Sequence, residues 1–161
     1  NAKYWIMRLE EEIKSSRTLP ARQRAVLNVL FTASWLSTEQ SRFLRCFGIT
    51  GPQFNILRIL KGSHPKALTV LDIKSRMLDR SSNVSRLVEK LRASGLVERC
   101  THKDDRRMVL VHITEAGKQL LLDIDSKGFT SPDFQPGQSL TENEASLLAE
   151  LLDKFREPCR S

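Results

Sequence analysis

The sequence predicts a mainly α-helical fold that contains one small β-hairpin. Apolar residues recur at the spacing of helices with one buried face through most of the chain. Residues 96–113 change to the two-residue alternation that is typical of β-strands. Capping signals separate the helices, so the order of the elements can be followed along the chain.

Two helices are expected before residue 48. The first covers residues 3–16, where Leu9 and Ile13 share one face. Pro20 breaks the chain before a longer helix at about residues 21–46, and Gly48 ends that helix. The apolar stripe of the longer helix consists of Val26, Val29, Leu30, Ala33, Leu36, Phe43 and Leu44.

The next two helices are marked by their first turns. Thr50-Gly51-Pro52-Gln53 combines a capping box with a proline in the first turn, and the helix that follows reaches Gly62. Thr69-Val70-Leu71-Asp72 repeats the capping pattern before a short helix that ends near Leu78. Both helices therefore have starts that are specified by local sequence.

A third helix is expected at residues 82–94, after a tight turn at Asp79-Arg80-Ser81. Its core face is formed by Val84, Leu87, Val88 and Leu91. Ser82 and Arg86 then project from the opposite face, flanked by Ser85 and Lys90. Gly95 ends the helix.

A β-hairpin follows, with strands at residues 96–100 and 108–113. Its tip, residues 101–107, is polar and charged and includes Lys103, Arg106 and Arg107. A helix at residues 114–128, a loop at 129–140 and a final helix that begins with the capping box Thr141-Glu142-Asn143-Glu144 complete the chain.

The positive charge is concentrated in the middle of the chain. Residues 42–112 hold 15 basic and 6 acidic residues, residues 113–161 hold 5 and 9, and the formal net charge of the chain is +7. This distribution is typical of a protein that binds a polyanion, although a solvated basic surface would also produce it. No apolar run approaches the roughly 20 residues of a transmembrane helix, so no membrane partner is expected.

The remaining composition argues against several other classes of protein. The cysteines, Cys46, Cys100 and Cys159, are odd in number and widely spaced, which favours a reducing, cytoplasmic location over a disulfide framework. The three histidines form no cluster with ligand spacing, so we expect neither a metal nor another cofactor. No phosphate-binding glycine loop and no nucleophile motif is present, and the chain is therefore not expected to be an enzyme.

The two helices around Asp79-Arg80-Ser81 match a helix-turn-helix, and the hairpin after them matches a wing. The second helix could enter a DNA major groove with one face buried on its own domain. Small polar groups at its start (Ser81, Ser82, Asn83 and Ser85) would let the backbone approach closely, while Arg86 and Lys90 could reach a base edge or a phosphate. An arginine at the hairpin tip suits a narrow minor groove.

At these positions the sequence resembles the MarR family of winged helix-turn-helix regulators. The resemblance rests on residues 48–57, on Val84-Ser85-Arg86-Leu87-Val88-Glu89-Lys90-Leu91, on Gly95-Leu96-Val97-Glu98-Arg99 and on the wing with the helix start after it, Asp105-Arg106-Arg107 and residues 111–117. It covers residues 25–125 and implies a homodimer that binds a pseudo-palindromic promoter site on double-stranded DNA. In the family such a dimer is usually a repressor that a small ligand or an oxidant relieves.

The resemblance also implies roles for individual residues. Asp105 and Arg107 match the Asp-x-Arg motif of the family's wing, in which the arginine reaches the minor groove and the aspartate orients it. Lys103 and Arg106 lie beside them. The family's effector site implies a pocket at the junction of the long helix and the next one, around Phe43, Cys46, Phe47 and Phe54. The proline that commonly precedes the wing aspartate is absent, and an additional N-terminal helix is present.

Three regions are therefore predicted: N-terminal dimerisation helices at residues 1–47, a winged helix-turn-helix at 48–113 and C-terminal dimerisation helices at 114–161. The apolar stripes of the terminal helices lie outside the central module and need a partner surface, which a two-fold dimer provides. Two alternatives remain open. One is a winged-helix protein-interaction module that does not bind DNA, and the other is a regulator in which a cysteine such as Cys46 senses redox state.

Overall fold

The helices begin close to the positions that the capping signals predict. In the residues that the computed structural model describes (8–14, 16, 19–101, 109–128 and 136–157), the chain forms seven helices and three strands. In chain order these are α1 Leu9–Glu12, α2 Ala21–Arg45, α3 Gly51–Ser63, β1 Leu68–Thr69, α4 Val70–Arg76, α5 Val84–Ala93, β2 Val97–Thr101, β3 Val109–Ile113, α6 Glu115–Gly128 and α7 Glu142–Phe155. The predicted fold class, mainly α with a small hairpin, is confirmed.

Local hydrogen bonds explain these starts. The Thr50 backbone N–H donates to Gln53 Oε1 at 3.0 Å in front of α3. Thr69 and Asp72 bond reciprocally in front of α4, and Thr141 and Glu144 do so in front of α7. Each pair satisfies backbone donors that the first turn of a helix leaves without partners.

The helix-turn-helix differs from the prediction at its centre. The first helix ends at Arg76 rather than near Leu78, and the second begins at Val84 rather than at residue 82. Asn83 caps α5, because its Oδ1 accepts a hydrogen bond from the Arg86 N–H at 3.1 Å. A capping residue has non-helical dihedrals, so Ser82 belongs to the preceding turn and not to the helix.

The sheet contains a strand that the sequence did not predict. β1 pairs with β3, and the order across the antiparallel sheet is β1-β3-β2. In the hairpin, Val97 lies opposite Ile113 and Thr101 lies opposite Val109. The tip was predicted to begin at residue 101, but Thr101 belongs to β2. The rest of the predicted tip, residues 102–107, lies outside the described residues.

The hydrophobic core lies around α3, which crosses the centre of the winged module. Ile56, Leu57 and Leu60 of α3 are at most 1% exposed. They are covered by side chains from every neighbouring element: Leu44, Leu68, Ile73, Met77, Val84, Val88, Leu91, Val97, Val111, Ile113, Leu121 and Ile124. An ion pair between Arg58 and Asp125 joins α3 to α6 at the edge of this core.

Large apolar side chains remain exposed on the two outer helices. On α2 these are Val26, Leu30, Phe31 and Trp35, and on α7 they are Leu147, Leu148, Leu151 and Phe155. No residue of α7 is buried within this single chain. None of the helices in the described parts of the chain combines the length and apolarity needed to cross a membrane.

Candidate nucleic-acid interface

Helix α5 has the two faces that the sequence predicts. Val84, Val88 and Leu91 are buried against the core, whereas Ser85, Arg86 and Lys90 are exposed. The apolar residues fix the helix on the domain, so the polar face points to solvent. The structure therefore presents a firmly held helix with a polar outer surface.

The cations of this face are available for a ligand. Among the described residues, no acidic side chain pairs with Arg86 or Lys90. Arg92 near the end of α5 and Arg99 of β2 are not available in this way, because both form ion pairs with Glu89. Within the described ranges, no acidic side chain neutralises the positive charge on the outer face of α5, which is the condition for attracting a polyanion.

The turn before α5 brings Ser81, Ser82 and Asn83 to the start of the helix. Asp79 organises this turn, since its carboxylate accepts hydrogen bonds from the Ser81 N–H at 2.9 Å and from the hydroxyl groups of Ser81 and Ser82 at 2.6 and 3.0 Å. The hydrogen bonds from the side chain and backbone of Ser81, and then that from Ser82, hold the pKa of Asp79 below its ordinary value. Ser82, predicted on the polar face of the helix, instead lies one residue before the cap.

One cation of this region was missed by the sequence reasoning. Arg80 lies in the turn directly before the serines and is exposed. In the sequence, only its positive charge and its position in the turn before α5 marked Arg80 as a candidate. The predicted contribution of Lys103, Arg106, Arg107 and the orienting Asp105 falls in residues 102–108, outside the described part of the chain.

The base of the hairpin is locked to the core. Gly117, in the first turn of α6, lies so close to the residue before β2 and to the end of β3 that a Cβ atom there would be 2.3 Å from the Leu96 carbonyl oxygen and 2.7 Å from Ile113 Cγ1. Thr114 holds the same junction, because its N–H donates to the Leu96 oxygen at 3.2 Å and its hydroxyl donates to the Gly95 oxygen at 2.8 Å. These contacts therefore fix the start of β2 and the end of β3 against α6.

The predicted effector residues lie where α2 meets α3. Phe43, Phe47 and Phe54 are partly buried and pack against the core, and the Phe43 and Phe47 rings meet edge to face at 5.3 Å. Cys46 is exposed. An open groove of about 380 Å³ runs beside them and is lined by Ser41, Arg45, Gly48, Ile49 and Thr50. The groove shares none of the four predicted residues, so their role as a binding pocket stays a prediction.

The described residues offer little support for other kinds of site. Within those ranges, no group of three or more histidine, cysteine, aspartate or glutamate side chains is arranged to hold a metal ion. Cys46 and Cys100 are exposed and free, and Cys159 lies outside the described part of the chain. The polar face of α5 remains the strongest candidate for function.

Known proteins with similar sequences and folds include helix-turn-helix regulators of transcription. The profile of a family described as the MarR family matches residues 47–108. The HTH-type transcriptional regulator YpoP of Bacillus subtilis is 31% identical over 107 residues, which are 64% of this chain and 71% of that protein. A MarR transcription factor from Planctomyces limnophilus is 28% identical and superposes with a TM-score of 0.60 over 87% of this chain and 96% of its own.

A third comparison concerns a complex. A mutant of MarR from E. coli, solved with operator DNA, has a TM-score of 0.69 and 23% identity over 80% of this chain and 91% of its own, and shows the shared fold. These relatives are regulators of transcription, which confirms the expectation that the chain is not an enzyme. The family profile and the identity to a relative covered over most of its length show that this chain belongs to the MarR family of winged-helix transcriptional regulators.

Proposed function

We propose that the chain regulates transcription by binding a specific, pseudo-palindromic site on double-stranded DNA as a homodimer. The observation that carries the proposal is the outer face of α5, where Arg86 and Lys90 are exposed while Val84, Val88 and Leu91 anchor the helix. A helix held in this way can lie in a major groove without losing its own packing. The operator complex of the similarly folded E. coli protein supports this use of the fold.

Within this proposal the residues have distinct tasks. Arg86, in the first turn of α5, is the candidate for bidentate recognition of a guanine edge, because it carries the planar guanidinium of the exposed face. Lys90, which carries a flexible point charge, suits a phosphate. Ser81, Ser82, Asn83 and Ser85 keep the turn and first helical turn small enough for close approach. Lys103, Arg106 and Arg107, with Asp105, are proposed for the minor groove on the basis of the family resemblance.

The outer helices are proposed as the dimer interface. Leu148 and Leu151 of α7, and Leu30 and Trp35 of α2, are between 46% and 62% exposed in the single chain. Apolar faces of this size on two helices are unfavourable in water and are suited to a second copy of the chain. The regions 1–47 and 114–161 would then form the dimer body, and 48–113 would bind DNA.

DNA binding is tested by selecting fragments from random duplexes and titrating the bound site against salt. We expect a preferred site and an affinity that falls with log salt by about 0.9 per neutralised phosphate. Arg86→Ala should weaken binding to the selected site by about 1–3 kcal/mol and relax the base preference. Arg86→Lys is the matched control, since it keeps the charge but loses the planar fork. A flat salt dependence without any preferred site would exclude the proposal.

The dimer is tested by sedimentation at micromolar concentration. Leu148→Glu combined with Leu151→Glu should yield monomers that bind the selected site poorly, because two recognition helices one DNA turn apart require both copies. The matched control is Glu150→Gln, an exposed position on the same helix. A wild-type protein that stays monomeric would refute this arrangement.

The alternative of a protein-interaction module predicts exposed apolar groups on α5, whereas the described outer face carries serine, arginine and lysine.

A small-molecule effector remains a proposal for the α2–α3 junction. It is tested by measuring the affinity of candidate metabolites with and without bound operator, because an allosteric effector and DNA must weaken each other by the same factor. Cys46→Ser, assayed with and without peroxide, tests the redox alternative.

A further inference from the structure

The turn at residues 77–83, before α5, carries two charged side chains to which the proposed DNA binding by α5 assigns no role. Two residues of opposite charge, Asp79 and Arg80, stand next to each other and are both exposed. Adjacent opposite charges would be expected to neutralise each other. In the described residues, however, Arg80 has no acidic partner.

The hydrogen bonds of Asp79 explain why. Its Oδ1 accepts from the Ser81 N–H and hydroxyl, and its Oδ2 accepts from the Ser82 hydroxyl. Both carboxylate oxygens are therefore directed toward the serines that follow. The guanidinium of Arg80 is thus left without a carboxylate partner among the residues that the structure describes.

The turn is also fixed at both ends. On one side the Leu78 N–H donates to Asn55 Oδ1 of α3 at 3.0 Å. On the other side Asn83 caps α5. Arg80 thus projects from a segment with a defined backbone that joins directly to the helix proposed to enter the major groove. A cation held on such a segment loses less conformational entropy on binding than one on a free loop.

We propose that Arg80 contacts a backbone phosphate of the DNA and that Asp79 is the residue that positions it, an inference that rests on the proposed DNA binding. The serine hydroxyl groups cannot take over this contact while the turn keeps its shape. Phosphate oxygens only accept hydrogen bonds, and the protons of Ser81 and Ser82 are already donated to Asp79. Arg80 is then the side chain of residues 79–82 that can donate to a phosphate.

The proposal and simple electrostatics predict opposite effects of an Asp79 substitution on DNA affinity. A carboxylate on a DNA-binding surface repels phosphates, so charge alone predicts that Asp79→Ala increases affinity. If Asp79 positions Arg80, the same substitution must decrease affinity. Asp79→Asn separates the two effects, because its amide can still accept from Ser81 and can donate to the Ser82 hydroxyl, yet carries no charge.

The experiment measures the affinity of the full chain for its selected site and for a random duplex at several salt concentrations. Arg80→Ala should weaken binding to both duplexes about tenfold. It should also reduce the slope of log affinity against log salt by about 0.9 per bound chain. Asp79→Ala should weaken binding to a similar extent, while Asp79→Asn should bind at least as well as wild type. Lys154→Ala, which removes an exposed cation from α7, is the matched control and should change neither quantity.

Circular dichroism establishes that each variant folds, and Arg80→Ala provides a test that does not alter the turn. The inference is overturned if Arg80→Ala leaves affinity and salt slope unchanged, if Asp79→Ala binds more tightly than wild type, or if Asp79→Asn loses as much as Asp79→Ala. Failure of the wild-type protein to bind any duplex would instead remove the proposed function. The two failures are therefore distinguishable.

Discussion

Gly117 is the position at which the structure predicts the clearest effect of a single added methyl group. In most helices a change from glycine to alanine stabilises by about 1 kcal/mol, because alanine restricts the unfolded backbone. Here a Cβ atom would lie 2.3 Å from the Leu96 carbonyl oxygen, 3.3 Å from the Leu96 carbonyl carbon and 2.7 Å from Ile113 Cγ1. Ordinary contacts of this kind begin near 3.4 Å, so the neighbours must move by about 1 Å.

That movement is costly because the nearest atom belongs to the backbone. The Leu96 oxygen also accepts the Thr114 N–H at 3.2 Å, and a shift that relieves the clash weakens this hydrogen bond. Overpacking costs about 1–3 kcal/mol and the hydrogen bond about 1 kcal/mol, against a gain of about 1 kcal/mol from helix propensity. We therefore expect Gly117→Ala to lower the free energy of unfolding by about 1–3 kcal/mol.

Urea denaturation at equal protein concentrations measures this change, and thermal denaturation should show a decrease in Tm of roughly 2–4 °C per kcal/mol. Gly62→Ala is the matched control. Gly62 also lies in a helix, its Cβ would meet nothing within 4 Å, and its substitution should be neutral or stabilise by about 0.4–1 kcal/mol. If Gly117→Ala were as stable as wild type, the close approach of α6 to the Leu96 backbone would not be the reason for a glycine at this position.

Three further predictions concern local hydrogen bonds. Asn83→Ala should destabilise the protein by about 0.5–2 kcal/mol and weaken binding to the selected DNA site, whereas Asn83→Ser should retain most of both, as urea denaturation and a binding titration would show. Asn55→Ala leaves the Leu78 N–H without its partner and should cost about 0.5–1.5 kcal/mol in the same denaturation assay; an unchanged midpoint would show that water replaces the amide. Hydrogen bonds from the backbone and then the side chain of Thr141 lower the pKa of Glu144. This cap therefore stabilises α7 at pH values above the ordinary pKa of glutamate, and the stabilisation is lost as the pH falls through the lowered pKa. Helix content followed by circular dichroism in acid should therefore decrease less in Glu144→Gln than in wild type, and identical acid profiles would contradict the assignment.

Much of the fold could be predicted because its signals are local. The capping pairs Thr50 with Gln53, Thr69 with Asp72 and Thr141 with Glu144 are each three residues apart, and the structure confirms the helix starts they indicate. The faces of α5 were equally predictable, since helical spacing alone separates its apolar and polar residues. The family membership followed from motifs in the same segments.

The boundaries of the helix-turn-helix were not predictable for a related reason. Asp79, Ser81, Ser82 and Asn83 are all residues that can cap a helix or form a turn, and the sequence does not say which of them does so. In the folded protein Asn83 caps α5 while Asp79 holds the two serines. The choice leaves Arg80 exposed, which is why this residue emerged only from the structure.

The sequence by itself thus determined the type and order of the helices, the amphipathic α5 and the hairpin, because these depend on residues within a few positions of one another. Tertiary structure decided what depends on distant partners. The two-residue strand β1 exists only because Leu68 and Thr69 pair with Val111 and Leu110, more than 40 residues later. The need for glycine at position 117 likewise arises from the backbone of Leu96, which comes next to it only when the chain has folded.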